Sequence, residues 1–145
     1  MIDMIGQNPI FANAIQMVLS QRLVRRLDDK TKIEYEPDKA TKEWIKKSLA
    51  DAPKHVKVPD IDKIKLYKPG SSDEYPFGFT GRMMIMEQLM MTEGIQQLVR
   101  GEMKDINVHE IERAAINDGM TTMLHEGILK VIAGETTVDE INRVI

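Results

Sequence analysis

The chain has 145 residues, of which 42% are hydrophobic and 30% charged, with a formal net charge of -3. This is the composition of a globular protein, one domain's worth of polypeptide able to bury about two-thirds of its unfolded surface, and not that of a disordered chain. The acidic balance gives no general attraction to nucleic acid, the lack of cysteine excludes disulfides and thiolate metal sites, and no apolar run approaches the roughly 20 residues that cross a bilayer.

The N-terminus has no basic flank followed by an apolar stretch, so no secretory signal is expected and the default location is the cytoplasm. Asn8-Pro9 predicts the start of a helix, with Ile10, Phe11, Ile15, Val18 and Leu19 on one face, and a short strand over Leu23–Leu27 follows. Residues 28–70 are the least regular part. Asp38 is placed to cap a helix carrying Ala40, Trp44, Ile45 and Leu49, after which Ala52-Pro, Val58-Pro and Lys68-Pro-Gly interrupt the chain. Ile64 and Leu66 alternate with Lys65 and Tyr67 as in a half-buried strand, and the many lysines are offset by acids, as on a solvated face.

Gly78 and Gly81 permit tight turns beside a predicted strand, Arg82-Met-Met-Ile-Met-Glu87, which is expected to pair with the strand near Ile64–Tyr67. Thr92 caps a helix with Ile95, Leu98 and Val99 buried, and Gly101 stops it. The last third predicts three short amphipathic helices, built on Val108, Ile111, Ala114 and Ala115, then on Met123, Leu124, Ile128 and Val131, then on Val138, Ile141 and Val144. Asn107 with Glu110, and Thr137 with Glu140, read as N-terminal caps, while Gly119 and Gly134 read as helix stops.

His55, His109 and His125 are widely spaced and read as structural or surface residues; no serine lies in a nucleophile-elbow context. The cluster Met83, Met84, Met86, Met90 and Met91 suits flexible core filling or a partner groove.

Three stretches carry a family resemblance. They are Gln21-Arg-Leu-Val-Arg-Arg-Leu27, then Gly78-Phe-Thr-Gly-Arg-Met-Met-Ile-Met-Glu87, then Asp118-Gly-Met-Thr-Thr with Glu126-Gly-Ile-Leu-Lys-Val and Gly134-Glu-Thr-Thr-Val-Asp-Glu-Ile-Asn-Arg-Val. In this order they resemble the C-terminal part of the ATPases of type II secretion and type IV pilus assembly. The resemblance implies an α+β, mainly helical fold in three parts. Residues 1–27 would be a helix-strand remnant of a RecA-like ATPase core, 28–91 a small sheet lobe, and 92–145 a helical subdomain.

The resemblance also implies ATP and magnesium as cofactors of the parent hexamer. This chain has no Gly-x-x-x-x-Gly-Lys-Ser/Thr loop, hence no amide cradle for phosphates and no expected ATP hydrolysis on its own. Many relatives bind zinc through two Cys-x-x-Cys pairs in the small lobe. Counted from the flanking motifs, those positions are Asp28 and Thr31, then Ser71 and Glu74, so zinc is not expected and packing around Trp44 and Tyr67 should hold the lobe.

Arg22, Arg25, Arg26, Arg82 and Glu87 are candidate interface or structural residues. In an oligomeric ATPase such arginines contact phosphates or acids of the neighbouring protomer; alternatively they form ion pairs within the chain. The partners implied are the rest of the ATPase, neighbouring protomers and the inner-membrane platform, with no nucleic acid and no membrane insertion. The role implied is subunit packing and force transmission at the cytoplasmic side of the inner membrane. A free-standing adaptor of such a system is the alternative.

Overall fold

The computed structural model describes residues 14–99 and 108–145. In chain order these form β1 (Met17–Leu27), β2 (Ile33–Tyr35), α1 (Lys39–Ser48), a 3-10 turn (Ile61–Lys63), β3 (Leu66–Lys68), β4 (Phe79–Met90), α2 (Glu93–Val99), α3 (Val108–Asn117), α4 (Met123–Ile132) and α5 (Val138–Val144). Among the described residues this is an α+β arrangement of five helices and two two-stranded sheets. No helix among them is long and apolar enough to cross a membrane.

The long ribbon is the frame. β1 and β4 run antiparallel, with Met17 opposite Met90 and Arg25 opposite Arg82, and an irregularity at Arg26 before Leu27 meets Phe79. Because successive strand residues point to opposite faces, Val24, Met83 and Ile85 share the inner face, whereas Leu19, Leu23 and Met84 share the outer one and are exposed.

Two sequence expectations are corrected here. Val18 and Leu19 lie in β1, not in a helix, while the start of the proposed helix falls outside the described residues. The ladder to β4 overrides the local helical spacing, since it satisfies the backbone groups of both strands at once. Further, β4 pairs with β1 and not with the strand near Ile64–Tyr67. That segment is the three-residue β3, which pairs with β2, Ile33 opposite Lys68.

The core joins the ribbon, the small lobe and the last two helices. Val24 and Ile85 from the ribbon meet Ile45 of α1 and Leu49 at its C-terminal cap, Ile61, Ile64 and Leu66 of the lobe, and Ile128, Val131 and Ile141 of the last two helices. Trp44 packs against this cluster, partly buried. α4 lies on β4 and α5 on β1.

Two of the expected caps, Asp38 and Thr137, form, and Thr122 adds one not expected from the sequence. The Asp38 carboxylate accepts from the Thr41 amide at 2.8 Å, and Thr122 and Thr137 cap α4 and α5. Gly119 and Gly134 have φ of 103° and 72°, and at Gly134 the bare α-carbon also lets the Tyr67 ring approach closely. Asn107 and Gly101 fall outside the described residues. The Val108 side chain, expected on an apolar face, is exposed at the start of α3.

Gly94, by contrast, sits in helical backbone of α2 with open space where a Cβ would stand. Gly94→Ala is expected to stabilise the chain by about 0.5 kcal/mol through the unfolded state, read as a higher urea midpoint at unchanged slope.

Candidate functional site: the arginine strand and its C-terminal latch

The arginines of β1 have separate fates. Arg25 is tied to α5, more than a hundred residues away in sequence: its backbone N–H donates to Glu140 Oε2 at 2.9 Å and its Nη2 to Oε1 at 2.6 Å. Arg143, one turn along α5, donates to the same carboxylate through Nη2 at 2.8 Å and Nε at 3.3 Å. Two neighbouring bonds complete the latch. Thr136 Oγ1 donates to the Arg25 carbonyl at 2.8 Å, and the Leu27 amide donates to the Glu135 carbonyl at 2.9 Å. The Gly-Glu-Thr-Thr segment thereby docks beside the end of β1.

The Glu140 side chain is 2% exposed. Burial alone pushes its carboxyl up, but the bonds from Arg25 and Arg143 outweigh burial and hold it down at about 2. Charge-assisted bonds of this kind are stronger than neutral ones, and an unpaired carboxylate at this position would be costly.

Sequence spacing assigned Glu140 to a capping box with Thr137. Only half of that box forms. Thr137 Oγ1 accepts from the Glu140 amide at 3.2 Å, but the carboxylate turns to Arg25. The full box lies at α4, where Thr122 Oγ1 accepts from the His125 amide and His125 Nδ1 accepts from the Thr122 amide. Nε2 of that ring is then the donor, and it faces Asp51 Oδ1 at 3.1 Å. Histidine is not the residue type that a capping-box pattern looks for, which is why the spacing did not single it out.

The other candidates are dispersed. Arg26 pairs with Asp29 at 3.1 Å on the surface, and Arg22 donates to the neighbouring Gln21 carbonyl. Arg82 stands directly opposite Arg25 on the outer face, exposed, with no carboxylate partner among the described residues. Arg25 also stacks over Phe79, 4.2 Å from the ring centroid.

Glu87 points away from Arg82, as its odd separation along the strand requires, and accepts from the Met123 amide at the first turn of α4 at 3.1 Å. Glu126 returns the contact by accepting from the Met86 amide. The two carboxylates stitch β4 to α4. Beside them lies an open cavity of about 510 Å³, bordered by Met86, Met90 and Met120 together with Asp118 and Glu126.

A family profile described as "Type II/IV secretion system protein" matches residues 1–143. The chain belongs to this family. It is 32% identical to the type II secretion system protein E of Xanthomonas campestris pv. campestris over 99% of its own length and 24% of that protein's. Similarity to the type IV pilus assembly ATPase PilB is at the same level, 31% identity in Pseudomonas aeruginosa and 32% in Thermus thermophilus, over 92% and 97% of this chain. These alignments cover 21% and 15% of the two PilB proteins, so the chain spans no more than a quarter of the length of the curated relatives it matches. Within the family segment, the latch joins two of the stretches that carry the resemblance, the arginine strand and the final Gly-Glu-Thr-Thr-Val-Asp-Glu motif.

Proposed function

We propose that this chain is the C-terminal part of a cytoplasmic hexameric ATPase of type II secretion or type IV pilus assembly, and that it transmits force without hydrolysing ATP itself. The observation that carries this is the latch. The end of β1 is clamped to α5 by the Arg25, Leu27, Thr136 and Glu140 bonds, so a displacement of the strand is passed to the C-terminal helices as one body.

In this reading residues 1–27 belong to the RecA-like core, 28–91 to the counterpart of the family's metal-bearing lobe, and 92–145 to the helical subdomain. ATP and magnesium are bound by the parent outside this segment, which agrees with the lack of a phosphate-binding loop in the sequence. The exposed outer face of the ribbon, with Met17, Leu19, Leu23, Met84 and Met90, is apolar enough to want cover, and the preceding part of the ATPase core is the proposed occupant. In the same reading the exposed Arg22, Arg26 and the unmatched Arg82 face acids or phosphates of the next protomer, and the inner-membrane platform receives the movement.

Calorimetric titration of the chain with magnesium ATP tests this directly. No heat of binding is expected in the micromolar range; a micromolar Kd would overturn the assignment of nucleotide binding to the rest of the protein.

A further inference from the structure

We infer that Asp28 secures the first loop of the small lobe without a metal, its carboxylate clasping Thr31 and its backbone amide reaching the second loop, at positions where the family resemblance implies a metal site. The side chains present do not fit a structural metal. Asp28 is 5% exposed, and its oxygens are already engaged, Oδ2 accepting from Thr31 Oγ1 at 2.7 Å and Oδ1 facing the Lys30 amide at 3.4 Å. The Thr31 hydroxyl proton is thereby committed. Ser71 donates its own to the Pro76 carbonyl at 3.1 Å, which leaves Glu74 as an exposed carboxylate. Two carboxylates and two hydroxyls are poor zinc donors in any case. No group of three or more metal-type side chains is gathered anywhere among the described residues.

The backbone shows what the clasp holds. The Asp28 carbonyl accepts from the Thr31 amide at 3.2 Å and the Lys32 amide at 2.9 Å, closing the 28–32 turn, while the Asp28 amide donates to the Gly78 carbonyl at 3.0 Å. Across from it, Gly70 lies so close to Thr31 that a Cβ there would stand 1.9 Å from the Thr31 carbonyl oxygen. A tight turn in the second loop, where the Ser72 amide donates to the Tyr75 carbonyl and the Tyr75 amide to Ser72 Oγ, completes the pair. The buried carboxylate thus shapes the first loop, and backbone contact alone, the Asp28 amide on the Gly78 carbonyl and Gly70 against Thr31, joins it to the second. A buried carboxylate that accepts from a hydroxyl is costly to leave without its partner, so the turn and the side chain enforce each other.

The equivalence of these four positions to metal-bearing ones rests on the family reading, which the ATP titration tests separately; the clasp rests on the distances alone. The experiment is thermal unfolding of the whole chain, with and without excess EDTA and with added zinc, alongside Asp28→Asn and the milder Thr31→Val. EDTA and zinc are expected to leave the melting temperature unchanged, whereas Asp28→Asn lowers it by about 5 °C and Thr31→Val by less. Amide hydrogen exchange at Thr31 and Lys32 should accelerate at least about tenfold in Asp28→Asn while Ile128 and Val131 keep their protection. A melting temperature lowered by EDTA, zinc copurifying in stoichiometric amount, or an Asp28→Asn variant with wild-type melting and exchange would each overturn the proposal.

Discussion

Glu140→Ala is expected to be among the most damaging single substitutions in this chain, costing about 3 kcal/mol at neutral pH. It removes the acceptor of the Arg25 amide and of both the Arg25 and Arg143 guanidinium groups, and it unclamps α5 from β1. The pH dependence follows from the same carboxyl. In the folded chain it titrates at about 2, against 4.5 ordinarily. Its stabilisation is therefore fully present above about pH 4.5 and is lost as pH falls toward 2. That interval corresponds to roughly 3 kcal/mol, or about 2 kcal/mol after allowance for water at the half-exposed Arg25. Urea unfolding as a function of pH should show a steep acid limb in the wild type and a flatter one in Glu140→Gln. Parallel acid limbs would mean that Glu140 is not the group whose charge holds the latch.

Gly70→Ala is expected to destabilise by about 3 kcal/mol, for a different reason. The obstruction is backbone against backbone: the new Cβ would meet the Thr31 carbonyl oxygen and carbon at 1.9 and 2.7 Å, and no rotamer change relieves it. The loops of the small lobe must separate to admit one methyl group. Gly94→Ala, the same chemical change where nothing lies nearby, supplies the comparison in the same thermal melt. If the two variants unfolded together, the close approach of the two loops would be wrong.

Much of the helical part was legible in the residues. Asp38 and Thr137 are side chains that accept bonds from the first amides of a helix, Gly119 and Gly134 tolerate left-handed backbone, and the apolar spacing of Ile128, Val131 and Ile141 puts them on buried faces. These signals act within a few residues, so a linear reading finds them. The strands were read less well. Met17–Leu27 needs β4, more than fifty residues on, to become a strand, and nothing local in Val18 or Leu19 announces that partner.

Of the candidate charged residues, the sequence marked Arg25 but not what it binds. Glu140 was in view only as a helix cap, since an i,i+3 relation to Thr137 is visible in the chain and a contact across 115 positions is not. Asp28 and Thr31 likewise stand in the sequence only as positions without a metal-binding thiolate, and the bond between them exists only in the fold.

By itself, then, the sequence determined the family, the want of a phosphate-gripping loop and the Asp38 and Thr137 helix caps, because each depends on residue identity or on spacing within one turn. The tertiary structure alone decided that β1 pairs with β4, that Glu140 clamps Arg25, and that Asp28 holds two loops together. Those outcomes depend on which distant surfaces exclude water from one another, and burial is a property of the folded chain and not of any short stretch of it.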